Sequence, residues 1–317
     1  MKRLRRGVFV DPEQWQSARL SERHRAFAAA VGLTMPTLAF CDVTALSLYG
    51  APLLTWPRTV HCQSPHRSRS GRFTTPCFPL HVQHSPGALP GGASGAAGTP
   101  QGQAALPAVS LPVPGITYED GEPVAVRVQS LPRVLISTLP QLPRQEAIVI
   151  LDAVMAGSYV FGRAVTGDAL DHAEALHRGR NMGEWRELRA FADPRSESVG
   201  ESRSRVLFDE LGFEPPELQK ELHLPRIGRV RLDFFWDDGD AGVVCEFDGM
   251  IKYTRGFSGI AVEDAVKQEK LREDALRLMG LRVVRITWDD LGSPQELGRK
   301  LLAAGVPHRA LRRFQAG

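Results

Sequence analysis

Three acidic residues carry the chemistry this sequence could perform: Asp233, Glu246 and Asp248. Asp233 interrupts the apolar run Leu232-Asp233-Phe234-Phe235-Trp236. Glu246 and Asp248 follow the apolar Val243-Val244-Cys245. Side chains on a strand alternate faces, so Glu246 and Asp248 are expected to share one, with Cα atoms roughly 6.5–7 Å apart. The intervening Asp237-Asp-Gly-Asp-Ala-Gly242 is hairpin chemistry, which predicts that the strand of Asp233 runs antiparallel beside that of Glu246. Carboxylates grouped in this way repel and lose hydration. The arrangement is costly unless a proton or a cation neutralises it. Hard oxygen donors suit Mg²⁺ or Mn²⁺. Such an ion could polarise a phosphodiester and lower the pKa of an attacking water.

Further residues could join the three acids. Glu201 would approach from the preceding helix. Lys252 stands shortly after Asp248, and Lys267 and Lys270 lie on a later helix. One of these cations could stabilise charge on a pentacovalent phosphorus or orient the water. A structural reading exists for each acid alone. Asp248-Gly249 could end a strand. Glu246 could pair with Arg229, Arg231 or Arg285. Glu201 could favour its helix N-terminus. An Asp-bearing strand, a tight turn and a Glu-x-Asp strand in succession form a more specific pattern than any one of them.

The elements that must position these residues are legible in the last third. A helix is expected over residues 199–211. Strands are expected over residues 218–224, 230–236 and 243–247. A long helix over 262–279 stops at Gly280, and a strand follows over 281–288, then a helix over 294–304. Helix, strands, helix and strand in that order predict an α/β layered domain. The loop Asp193-Pro-Arg-Ser-Glu-Ser198 is the expected boundary, giving domains 1–192 and 193–317. The first has mixed α+β grammar: a helix over 12–31, a second over 42–48, strands near Thr59-Val60-His61-Cys62, His81-Val82-Gln83-His84 and Ile116-Thr117-Tyr118, then helices from Ser130 onward. Residues 85–115 are poor in large apolar side chains, and a disordered insertion is expected there. His81 and His84 are expected to face opposite sides of their strand, which argues against a shared metal.

Bulk composition narrows the setting. The 317 residues are 43% hydrophobic and 24% charged, ordinary for a globular protein, and the formal net charge of +3 permits nucleic-acid binding without requiring it. The 4 cysteines include no CxxC pair, which points to free thiols in a reducing cytoplasm. No apolar run reaches the ~18 residues of a membrane span. The basic start lacks a signal-peptide core.

Residues 198–291 resemble an uncharacterised actinobacterial family that is similar to the very-short-patch-repair endonuclease branch of the PD-(D/E)XK superfamily. The matching pieces are Gly200-Glu-Ser-Arg-Ser-Arg205, Gly228-Arg-Val-Arg-Leu-Asp-Phe234, Cys245-Glu-Phe-Asp-Gly249, Lys252-Tyr253, Glu269-Lys-Leu-Arg-Glu-Asp-Ala275 and Arg282-Val-Val-Arg-Ile-Thr-Trp288. The resemblance implies a restriction-endonuclease-like mixed sheet flanked by helices. It also implies metal-dependent DNA endonuclease or nickase activity, with Asp233 and Glu246 in the metal-binding places. The superfamily pattern calls for lysine where this chain has Asp248. Relatives in this branch tolerate a Glu-x-Asp-Gly ending, and either Lys252 or the long helix would supply the lysine or activity would be lost. A nuclease-derived DNA-binding module that does not cut is the alternative.

Residues 4–165 resemble the latter portion of AbiEi-type antitoxins. The matching pieces are Leu4-Arg-Arg-Gly-Val-Phe-Val10, Asp42-Val-Thr-Ala-Leu-Ser-Leu-Tyr-Gly50 and Pro57-Arg-Thr-Val-His61. That resemblance implies a DNA-binding role and a toxin partner. It makes Arg5-Arg6-Gly7 the tip of a wing, with the recognition helix absent or upstream. Lys2, Arg3, Arg5 and Arg6 are the candidate phosphate contacts.

Overall fold

The computed structural model describes residues 1–85, 108–159, 162–177, 179–225, 227–237, 239, 242–249 and 259–310, without the side chains of residues 259–266. The chain divides into two compact units, Met1–Ala192 and Asp193–Gly317. Each combines helices with a mixed sheet.

The first unit opens with a hairpin of β1 (Lys2–Arg5) and β2 (Val8–Val10), turned at Gly7 with φ +77°. Leu4 is buried. Two short helices follow, α1 (Pro12–Ser17) and α2 (Leu20–Thr34), where periodicity alone predicted one. The break is at Ala18 and Arg19, both extended, and Glu22 accepts the Arg19 N–H to start the second helix. Arg5 Nε donates to Thr34 Oγ1 at 2.7 Å and ties the hairpin to the end of α2.

Next come β3 (Ala39–Phe40), α3 (Asp42–Tyr49), β4 (Val60–Ser64), β5 (Gly71–Phe73), β6 (Leu80–His84), β7 (Ala108–Thr117) and β8 (Pro123–Gln129). These strands form one six-stranded sheet in the order β5-β6-β4-β3-β8-β7. Part of the expected disordered insertion is therefore strand. Residues 108–115 belong to β7, whose alternating Leu111 and Val113 are buried, and residues 86–107 lie outside the described residues. Four helices complete the unit: α4 (Leu131–Thr138), α5 (Arg144–Ala156), α6 (Gly167–Leu176) and α7 (Met182–Phe191).

The second unit contains α8 (Val199–Glu210), β9 (Glu217–Leu224), β10 (Gly228–Trp236), β11 (Val243–Phe247), α9 (Gly259–Leu278), β12 (Arg282–Ile286), α10 (Trp288–Gly292) and α11 (Pro294–Ala303). The strand predicted to reach Trp288 ends two residues earlier, because Thr287 caps α10 through a reciprocal bond with Asp290. The sheet order is β12-β11-β10-β9. The pairs β9/β10 and β10/β11 are antiparallel, and β11/β12 is parallel across the α9 crossover. Central strand β11 is apolar on both faces from Val243 to Cys245, as a sheet covered on both sides requires. One face packs Phe234, Trp236, Val243 and Cys245 against Leu207 and Phe208 of α8 and Leu297 and Leu301 of α11. The other packs Val230, Leu232 and Val244 against Leu276 of α9. No described helix is long and apolar enough to cross a membrane.

Burial also sets a pH limit on the first unit. His24 of α2 is fully buried, edge-on to Phe78, with Nε2 3.4 Å from the Thr59 carbonyl. Desolvation pushes its pKa from 6.5 down to about 4. Above pH 6.5 the ring is neutral in folded and unfolded chains alike. Below it the unfolded chain takes up the proton first, so stability falls between pH 6.5 and 4 by up to about 3 kcal/mol. Denaturation midpoints measured across that window should drop for the wild type and stay flatter for His24→Gln. Equal slopes would disprove the assignment.

Candidate functional site

The site begins with an irregularity in β9 and β10. Residues 230 and 232 pack on the α9 side, yet 234 and 236 pack on the α8 side. Strict alternation would keep all four on one face. In β9, Leu222 and Leu224 likewise lie on the α9 side and Leu218 on the α8 side. The register is in step across this change, with Leu232 opposite Lys220 and Phe234 opposite Leu218. Both strands therefore change phase together at Gln219 and Asp233. Gln219 absorbs it with φ +54°, which is uncommon for a residue with a side chain. A period-two reading of the sequence cannot see this step.

The consequence falls on Asp233. The β10/β11 ladder stops at Phe234 opposite Cys245. One residue further, Asp233 Oδ2 accepts the N–H of Phe247 at 2.9 Å. A side-chain carboxylate thus takes a place that a backbone carbonyl would fill in a continued ladder. The carboxylate links β10 to β11, and its charge acts on Glu246.

Glu246 belongs to the α9 side with Val244. Its Oε1 accepts from Arg272 Nη2 at 2.8 Å, and the same nitrogen donates to the Arg231 carbonyl at 2.8 Å. Among the described residues the candidate partners Arg229, Arg231 and Arg285 form their ion pairs elsewhere, although the charge of Glu246 still acts on Arg285. Arg229 pairs with Glu221, Arg231 with Glu197, and Arg285 with Glu269 and Glu273. Burial is the largest influence on Glu246 and raises its pKa from 4.5 to about 7. Arg272 opposes the rise, and the charge of Asp233 adds to it.

Glu201 approaches from the other side. Ser198 caps α8 by accepting the Glu201 N–H, and donates its hydroxyl to Glu201 Oε1 at 2.7 Å. Glu201 Oε2 accepts from Glu197 N and from Gln219 Nε2, each at 2.9 Å. Burial raises its pKa, the hydrogen bonds from Glu197 and Ser198 oppose the rise, and the charge of Asp233 adds to it. Gln219 is thereby fixed at the step in β9 by a carboxylate from α8. Gly200 makes the approach possible: a Cβ there would run into the Phe247 ring.

The structure brings Glu201, Asp233 and Glu246 into one electrostatic neighbourhood, with Asp233 acting on both of the others. Asp248 lies just past the end of β11, its N–H donating to Ile286 O at 2.8 Å. Among the described residues, no group of three His, Cys, Asp or Glu side chains is arranged to hold an ion. Lys252 lies outside the described residues. Lys267 and Lys270 are exposed on α9, and the cation that meets Glu246 is Arg272. Sequence reading missed Arg272 and Gln219. The i, i+3 spacing of Glu269 and Arg272 marked a charged helix face without indicating its partner across the sheet.

The donor chemistry fits a hard divalent ion at Asp233 and Glu246. Both supply carboxylate oxygens from adjacent strands. Burial and their mutual repulsion disfavour the charged form of Glu246 even with Arg272 bound.

Two outcomes test this geometry. Glu246 has a raised pKa when folded, so its stabilising contribution is fully present below pH 4.5 and is lost as pH rises through about 7. Glu246→Gln should gain on the wild type between pH 5 and 8 by up to about 3 kcal/mol, less what the unpaired Arg272 loses. Urea unfolding at the two pH values measures this, and a pH-independent difference rules it out. Gly200→Ala should cost about 1–3 kcal/mol by overpacking α8 against Phe247. A neutral result in the same assay would show that the helix can retreat.

No protein-family model matches the chain, and no solved structure matches it. Uncharacterised proteins from two strains of Mycobacterium tuberculosis are each 32% identical over 178 residues, 56% of this chain and 59% of the relative. The chain thus spans about three fifths of the length of the curated relatives it matches.

Proposed function

We propose that the second unit is a metal-dependent DNA endonuclease or nickase, with Asp233 and Glu246 holding Mg²⁺ or Mn²⁺. The supporting observation is the pair itself. Two part-buried carboxylates stand on neighbouring strands where the ladder ends, and Glu246 resists ionisation although Arg272 is bonded to it. The ordered resemblance to the very-short-patch-repair branch, across α8, β10, β11, α9 and β12, supports a restriction-endonuclease-like fold and the same reading.

When bound, the ion would supply Lewis-acid polarisation of a phosphoryl oxygen and a more acidic water. The chain's own residues set the stage. The Phe247 N–H fixes one oxygen of Asp233. Glu201 locks Gln219, which holds β9 at its step beside Asp233. Arg272 crosses from α9 to Glu246. Asp248 is retained as a supplementary ligand in this proposal, and Lys252 as the cation for charge developing on phosphorus. The site would serve DNA in the cytoplasm.

A second reading follows from one observation: Arg272 already supplies a positive charge to Glu246. On that reading the second unit is a degenerate nuclease fold in a DNA-binding, antitoxin-like regulator, and the first unit would engage DNA or a toxin partner.

Cleavage of supercoiled plasmid distinguishes the two. With Mg²⁺ or Mn²⁺ the wild type should nick or linearise DNA, and Asp233→Ala and Glu246→Ala should each lose more than about 100-fold. Absence of metal-dependent cleavage, or cleavage indifferent to both substitutions, overturns the nuclease reading. Salt-dependent DNA binding that persists in EDTA without cleavage would favour the regulator.

A further inference from the structure

We propose that Arg272 is the resident counter-cation of Glu246, and that a divalent ion gains Glu246 only as this guanidinium withdraws toward Glu269. The inference rests on the metal-binding reading above and adds to it a built-in competitor.

The geometry of the pair carries the argument. Arg272 Nη2 is 2.8 Å from Glu246 Oε1, and the side chains are only 21% and 15% exposed. In so enclosed a place the charge-assisted bond is screened far less than a surface ion pair. The same nitrogen also donates to the Arg231 carbonyl, at 2.8 Å, so the guanidinium is aimed at the sheet and not left to solvent. Two cations on one carboxylate repel strongly at contact distance. An ion bound at Glu246 therefore competes with Arg272.

An acceptor for the displaced guanidinium is already present. Glu269 lies one helical turn earlier on α9, with Oε1 3.5 Å from Arg272 Nη1. Glu269 is shared with Arg285 at 2.6 Å, and Arg285 reaches Glu273 at 3.1 Å, which in turn binds Arg277 at 2.7 Å. Glu246, Glu269, Glu273 and the adjoining Asp233 thus face Arg272, Arg285 and Arg277. Withdrawal of Arg272 along its own helix keeps it paired within this chain of charges. It also leaves on Glu246 the negative charge that a divalent ion would neutralise. No covalent step is involved.

The test is Mn²⁺ affinity, read calorimetrically in the full chain without DNA. Arg272→Gln should bind Mn²⁺ at least about tenfold tighter than the wild type, since one charge-assisted hydrogen bond no longer competes. Arg272→Lys, which keeps the charge, should stay near the wild type. In an Glu246→Gln background the gain from Arg272→Gln should vanish. Equal or weaker binding by a folded Arg272→Gln overturns the proposal and leaves the metal site standing. Absence of Mn²⁺ binding in every variant and in the wild type overturns the metal reading, and this proposal with it. Should Arg272→Gln not fold, ¹⁵N NMR of the wild-type guanidinium groups decides. The Arg272 signal, identified by its loss in Arg272→Lys, should show hindered rotation without metal and shift on saturation with Mg²⁺. A signal unmoved by saturating Mg²⁺ overturns the proposal.

Discussion

The second unit turns on one hydrogen bond, from the Phe247 N–H to the carboxylate of Asp233. Strands β10 and β11 pair by backbone as far as Phe234 and Cys245, and there the ladder ends. A partly buried polar backbone group at such a break needs another partner, because desolvating it unpaired costs free energy. Asp233 provides that partner. The price is a carboxylate held among apolar strands, and the surroundings are arranged around it. Gln219 permits the change of pleat phase, Glu201 holds Gln219, and Arg272 offsets the neighbouring Glu246.

The network also explains why the two faces of the sheet stay separate. Phe208 of α8 stacks edge-on to Phe234 and Trp236 on one side. Leu276 of α9 closes over Val230, Leu232 and Val244 on the other. The phase step at Gln219 and Asp233 lets each strand feed both cores in turn. Gly200 then lets α8 lie against Phe247 closely enough for Glu201 to reach the step. Fold and candidate site are thus one construction: the residues that interrupt the sheet are those that carry its charge.

Most element boundaries in the second unit were legible because their signals are local. Ser198 with Glu201 marks the start of α8, Gly280 follows α9, and Asp237 accepts the Gly239 N–H in the turn after β10. Local signals served less well in the first unit. The helix expected over residues 12–31 divides at Ala18, and β7 occupies part of the stretch expected to be disordered. Neither departure is visible in composition. β7 carries Pro112, Pro114 and Gly115 yet is stabilised by its pairing with β8, and pairing is a non-local property.

For the candidate site, the sequence alone determined the acids and the strands that bear them. Asp233 in an apolar run, a hairpin turn, and Glu246 two residues before Asp248 follow from residue type and spacing. Tertiary structure decided which of these groups act on one another. It let Asp233 act on both Glu201 and Glu246, ended β11 before Asp248, and set Arg272 against Glu246. The physical reason is the range of each interaction. Turn chemistry, capping and strand alternation act within a few residues, whereas an ion pair between a strand and a helix 26 residues away depends on how the α9 crossover packs onto the sheet.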